Sequence, residues 1–191
     1  MQSKNVMAMN GIVTVPNGIS LLRLFAVPLM LWLLLEEAFA AAFWLFLIAS
    51  ISDGIDGFIA KRFNARSVVG AYLDPIADKA LLMGVYITLG VAGHLPLWLA
   101  ALAVFRDLII VGGAVLFRGL TGNLKMEPLL SGKLNTLAQI LLAAVALAGL
   151  GLNLPVAALT EILVYFVTAT ILYSAGCYLA TWSWRASGLE E

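Results

Sequence analysis

Cysteine, histidine and charge are nearly absent from this sequence, and each scarcity closes off a class of function. A single cysteine, Cys177, excludes an intrachain disulfide and any multi-cysteine metal site. Set in an apolar stretch, it reads as a small buried or lipid-facing side chain. The 11 basic and 11 acidic residues cancel, so no bulk attraction to nucleic acid or to an acidic surface is expected. The one histidine, His94, falls between apolar segments and reads as a surface residue. Neither an internal repeat nor a low-complexity tract is visible, and no stretch reads as a soluble domain. The N-terminal residues carry one lysine, Lys4, with no small-residue cleavage pattern before Pro16, and do not read as a removable signal peptide.

What the chain does have is apolar length. Hydrophobic residues make up 62% of the sequence, and mean hydropathy is +1.00. Together they predict an all-α integral membrane protein, one domain over residues 1–191. Six segments suit bilayer crossing at about 20 residues each: 17–36, 38–61, 71–92, 95–118, 132–151 and 155–184. Breaks fall where Gly, Pro, Asn and charged residues cluster. Residues 2–13 mix apolar and polar side chains and fit either a short interfacial helix or a tail.

Charge distribution orients this layout. The short connections at 36–38, 93–95 and 151–155 contain no Lys or Arg, whereas Lys4, Lys61, Arg62, Arg66, Arg118, Lys125, Lys133 and Arg185 fall on the other side. The positive-inside rule then puts both termini of the six transmembrane helices in the cytoplasm. Trp32, Trp44, Trp98, Trp182 and Trp184 lie mostly near helix ends, as interfacial anchors do. Arg23, Lys79 and Arg106 fall within segments and must face protein or water.

Four aspartates stand out against this apolar background, in the run DGIDGFIAKRFNARSVVGAYLDPIAD. Asp53 and Asp56 are three apart on the second helix, and Asp74 and Asp78 four apart at the start of the third, so each pair shares a face. A connection of about eight residues would let the two helices pack antiparallel and the four carboxylates converge. Unassisted they would repel one another. A divalent cation removes that conflict and attracts a phosphate, and four carboxylates can bracket two ions, Mg2+ or Mn2+. Gly54, Gly57 and Ala60 leave room for a backbone or ligand to approach. Lys61, Arg62 and Arg66 add cations suited to a diphosphate, although basic residues at a cytoplasmic helix end also serve topology.

The same residues carry a family resemblance. Asp53, Asp56, Gly57, Ala60, Lys61, Gly70, Asp74 and Asp78 keep every spacing of the pattern D-x2-D-G-x2-A-R-x8-G-x3-D-x3-D. The stretch thus resembles the signature of the CDP-alcohol phosphotransferases. Lys61 stands where that family usually has Arg, with Arg62 next to it. The resemblance implies transfer of a phosphatidyl group from CDP-diacylglycerol to an alcohol, with release of CMP. It implies that Asp53, Asp56 and Asp74 hold divalent metal, and that Asp78 is the general base and a further metal contact. It also implies that Gly57, Ala60, Lys61, Arg62, Ser67 and Gly70 surround the CDP moiety, and that the protein is a homodimer among membrane lipids.

Outside the motif, Thr14-Val15-Pro16-Asn17 with Arg23, Phe105-Arg106-Asp107 with Arg118, and Ser131-Gly132-Lys133-Leu134-Asn135-Thr136 resemble the branch that uses phosphatidylglycerol and forms cardiolipin. The alternative acceptor is glycerol 3-phosphate, giving phosphatidylglycerol phosphate. Relatives of that kind tend to carry a second Arg two turns after the one matching Arg106, where this chain has Ala114. Arg23, Arg106, Arg118 and Lys133 are candidates for the acceptor's phosphate, while Arg106-Asp107 reads equally as an internal ion pair. A different class, a cation or metal transporter, would also need intramembrane acids. Here the acids cluster at one end of their helices and no inverted repeat is visible.

Overall fold

The computed structural model of the chain describes residues 15–63, 68–121 and 130–187, with side chains described for 22–52, 77, 79–113, 130–181 and 183. All six elements among them are helices: α1 Val15–Leu35, α2 Phe39–Phe63, α3 Val68–Val91, α4 Leu97–Thr121, α5 Leu130–Leu152 and α6 Ala157–Ser187. Their bounds follow the six hydrophobic segments closely. No end differs by more than three residues, and the start of α3 is among those that differ by three. Helices α2 and α3 both run into the expected eight-residue connection, and only residues 64–67 separate them. The expected N-terminal segment lies outside the described residues.

The turns are built from helix-stop chemistry. α1 closes with Ala38 N–H donating to the Leu33 carbonyl at 2.9 Å and Glu37 N–H to the Leu34 carbonyl at 3.2 Å. α3 repeats the pattern, with His94 donating to Leu89 at 2.9 Å and Gly93 to Gly90 at 3.2 Å. Such a closure needs a left-handed residue, supplied by Glu37 at φ 56° and Gly93 at φ 78°. Asn153, at φ 52°, follows the end of α5. These three Lys- and Arg-free turns meet at one end of the bundle. The Phe39 and His94 rings stack edge-to-face at 5.2 Å, so His94, although exposed, is also a packing residue. A Cβ at Gly151 would stand 2.7 Å from the backbone of Ala40. Trp32, Trp44 and Trp98 lie toward this end and are exposed.

Helix α1 lies against α2 and α3, α5 against α2 and α6, and α4 against α3 and α6. The interior is made of small residues and a few large ones. Ala42, Ala100, Ala138, Ala143 and Ala146 are buried beside Met30, Phe46, Leu89, Leu142 and Leu147. Small side chains let membrane helices approach closely, where apolar burial alone gives no driving force between them. The outer surface is apolar: Phe25, Trp32, Ile162, Tyr165 and Leu137 are all more than half exposed, while Arg23, Arg106, Asn135, Gln139, Thr170 and Ser174 are buried. Large apolar groups outside and polar groups inside suit lipid as the solvent. By length and composition, Leu130–Leu152 and Ala157–Thr181 are each able to cross a bilayer.

Candidate active site

All the signature positions lie on two helices. Asp53, Asp56, Gly57, Ala60, Lys61 and Arg62 belong to α2, and Gly70, Asp74 and Asp78 to α3. Ser67 lies outside the described residues, as do the side chains of the signature positions and of Arg118, which is on α4. Both helices are continuous through their acids, so the i,i+3 and i,i+4 spacings each keep a pair on one helical face.

The described side chains show what stands one turn deeper. A chamber of about 90 Å³ is lined by Ser50, one turn before Asp53, and by Lys79, which follows Asp78. Arg23 from α1, Asp107 from α4, and Thr136 and Gln139 from α5 also reach it. Arg23 is buried, although charged. Tyr86, in the chamber wall, donates its hydroxyl to the Gln139 backbone carbonyl at 3.0 Å and so joins α3 to α5. The signature acids therefore occupy the helical turns next to a polar chamber lined by the cations Arg23 from α1 and Lys79 from α3 itself.

Beside the chamber is a more open cleft of about 480 Å³, lined by Lys79, Arg106, Gly132, Lys133, Thr136 and Tyr178 at its polar part, and by Ile110, Leu137 and Ile140. Lys79, Thr136 and Ile140 border both spaces. Arg106 is buried and held on three sides. Nη1 donates to Asp107 Oδ1 at 2.7 Å, Nη2 donates to Ser174 Oγ at 2.5 Å, and the guanidinium carbon lies 5.8 Å from the centre of the Tyr178 ring. The other Asp107 oxygen, Oδ2, pairs with Lys79. One carboxylate thus serves two cations from different helices, while Lys133 adds a third, exposed cation to the same cleft. Deeper in the bundle, the Thr170 hydroxyl on α6 reaches Asn135 Oδ1 on α5 at 3.1 Å.

Of the candidate acceptor residues, the structure brings Arg106 and Lys133 to the cleft and Arg23 to the adjoining chamber. The Arg106–Asp107 ion pair forms, and Arg106 also borders the cleft. Lys79 was noted from the sequence only as an intrahelical cation, and Ser174 and Tyr178 were not singled out. A signal for two of them was present: Thr170, Ser174 and Tyr178 recur every four residues along α6, a polar stripe on an otherwise apolar helix.

No three His, Cys, Asp or Glu side chains gather among the described residues. The signature's own carboxylates, all oxygen and hard, have the donor chemistry that Mg2+ or Mn2+ prefer. The positions that carry them lie on two continuous helices, α2 and α3.

Fold and polar interior together define a helical membrane protein with buried polar side chains around an internal chamber. The chain belongs to the CDP-alcohol phosphatidyltransferase family, whose profile matches residues 13–179. It is 31% identical over 181 residues to the human cardiolipin synthase (CMP-forming), a match covering 86% of this chain and 60% of that protein. It is 36% identical over 149 residues to a chloroplastic CDP-diacylglycerol–glycerol-3-phosphate 3-phosphatidyltransferase of rice, covering 69% of this chain and 45% of that one. It is 36% identical over 110 residues to the cardiolipin synthase (CMP-forming) of Streptomyces coelicolor, covering 53% and 51%. The chain thus spans about 60% of the length of the human and rat relatives.

Proposed function

We propose that this protein transfers a phosphatidyl group from CDP-diacylglycerol to phosphatidylglycerol, forming cardiolipin and releasing CMP. The observation that carries the reading is the signature, with every spacing kept and Lys61 in place of Arg, on α2 and α3 beside a cation-lined cleft that has an apolar wall. Support for this acceptor comes from the relatives named as cardiolipin synthases and from the cleft itself. Ile110, Leu137 and Ile140 offer apolar surface next to Arg106 and Lys133, which suits a phosphate that carries a lipid. The rice relative keeps glycerol 3-phosphate as the alternative acceptor, with phosphatidylglycerol phosphate as product.

The family is generally divalent-metal dependent. Asp53, Asp56, Asp74 and Asp78 would hold Mg2+ or Mn2+, two ions in our reading, and these would neutralise the diphosphate charge. Asp78 accepts the proton of the attacking hydroxyl. Gly57, Ala60 and Gly70 leave room for the cytidine diphosphate, and Lys61, Arg62 and Ser67 contact it. Arg106 and Lys133 hold the acceptor phosphate, with Arg23 and Arg118 as further cations of that region. Six membrane spans with both termini and the site on the cytoplasmic side, a single domain over 1–191, a bacterial inner membrane and a homodimer complete the proposal. The sidedness agrees with three basic-poor turns meeting at one end.

The test is incubation of purified protein with CDP-diacylglycerol and Mg2+ or Mn2+, offering phosphatidylglycerol or glycerol 3-phosphate, with lipid products read by mass. Cardiolipin from phosphatidylglycerol is expected. Rapid use of glycerol 3-phosphate without cardiolipin replaces the acceptor. Failure to release CMP with either, together with cation flux in proteoliposomes, would favour the transporter reading.

A further inference from the structure

We propose that Ser174 on α6 is a positioning residue for the acceptor site, acting through Arg106, and that Asp107 is its counterpart on the opposite side of the guanidinium. The proposal rests on the reading that Arg106 contacts the acceptor phosphate.

A guanidinium at the end of a flexible stem must be held before it can present two parallel N–H donors to a phosphate. Here each terminal nitrogen has its own anchor. Ser174 Oγ accepts from Nη2 at 2.5 Å, and Asp107 Oδ1 accepts from Nη1 at 2.7 Å. The Tyr178 ring, one turn after Ser174, lies 5.8 Å from the guanidinium carbon. Ser174 is fully buried, so its hydroxyl has no solvent role, and its Oγ is fixed by the packing of α6 on α4 and α5. Nε of Arg106 has no hydrogen-bond partner among the described residues. The anchors therefore leave donor capacity unused, which a structural ion pair would not be expected to do in a low-dielectric interior.

Two further observations tie this holder to the reaction. Asp107 Oδ2 pairs with Lys79, the residue after Asp78, so the carboxylate that orients Arg106 is also bonded to the turn of α3 that carries the proposed base. On the cleft side, residue 132 is glycine. A Cβ there would stand 3.2 Å from Nη2 and 3.2 Å from the Tyr178 hydroxyl, closing the approach to the guanidinium.

The test uses the full chain in detergent or nanodiscs, with apparent KM determined separately for phosphatidylglycerol and CDP-diacylglycerol. Ser174→Ala removes the acceptor of a charged hydrogen bond and should raise the KM for phosphatidylglycerol about tenfold, the scale of such a bond. The KM for CDP-diacylglycerol should stay within about twofold. In an Arg106→Met background the same Ser174→Ala change should add less than about twofold, because the group it acts through is gone. Gly132→Ala, which leaves Ser174 intact and crowds Nη2, should reproduce the selective rise even if Ser174→Ala lowers the yield of folded protein. Both KM values rising together, or full additivity with Arg106→Met, would overturn the positioning role. Arg106→Lys judges the underlying reading separately. An unchanged acceptor KM in that variant removes Arg106 from the acceptor site and overturns both. A raised one beside an unaffected Ser174→Ala and Gly132→Ala overturns the positioning role alone.

Discussion

The two ends of the bundle are made of different materials. At the turn end, connections are three to five residues long, no Lys or Arg is present, and the helices close on their own backbone hydrogen bonds. A cleft of about 530 Å³ there is lined by His94, Trp98, Glu161 and Tyr165 among apolar neighbours, without any Lys or Arg. Toward the other end, Arg23, Lys79, Arg106 and Asp107 are brought together from three helices around connected polar spaces, next to the turns that carry the signature acids. Polar groups inside a membrane protein are costly and persist where they line a site. The contrast therefore teaches that one end closes on its own backbone while the other gathers buried polar side chains, and on the proposed function stability and activity should respond to substitutions at different ends.

The largest effect is expected at the signature. Asp53→Asn, Asp56→Asn and Asp74→Asn should each remove most turnover, and excess chelator should abolish it in the unaltered protein. Full activity in chelator would end the metal reading. Asp78→Asn should keep CDP-diacylglycerol binding while lowering turnover by about 10²-fold or more, the scale of a lost general base. If binding collapses and turnover per bound substrate does not, Asp78 is a metal ligand first.

The turn end should respond in the opposite currency. Gly151→Ala places a Cβ 2.7 Å from the α2 backbone. It should cost about 1–3 kcal/mol of stability, as overpacking does, while both KM values stay unchanged. Thermal unfolding beside a steady-state assay checks this, and a selective loss of turnover in Gly151→Ala would break the division between the ends.

Smaller shifts sharpen it. Lys61→Ala should raise the KM for CDP-diacylglycerol, and Lys61→Arg should be tolerated, since it keeps the charge and adds a fork. An unchanged KM in the alanine variant returns Lys61 to a topological role. Smallest of all, Glu161→Gln in the turn-end cleft should leave turnover within about twofold, in line with ordinary surface substitutions.

The backbone was far more legible than the interior. Helix positions follow from apolar run length, and the turns from Glu36-Glu37, Gly93 and Asn153, because these are local properties of the chain. Between α2 and α3 the polar run from Lys61 to Gly70 suggested a longer loop, yet α2 extends to Phe63 and α3 begins at Val68. The signature acids were readable because their spacing is fixed along two helices. Ser174 and Tyr178 were not, since a single hydroxyl on an apolar helix gives no sign of which neighbour it meets. Only the packing of α6 on α4 puts Ser174 against Arg106. Likewise Lys79 read as one of three intrahelical cations, and its pairing with Asp107 depends on α3 lying beside α4.

The central claim is that the acids of α2 and α3 act together as one metal centre at the polar end. Mn2+ binding followed by electron paramagnetic resonance tests it without any turnover. The purified protein should bind Mn2+, and Asp53→Asn on α2 and Asp74→Asn on α3 should each weaken that binding at least about tenfold, as losses around a metal site commonly do. Wild-type affinity in either variant would show that the two helices do not share a metal centre, and would contradict the account.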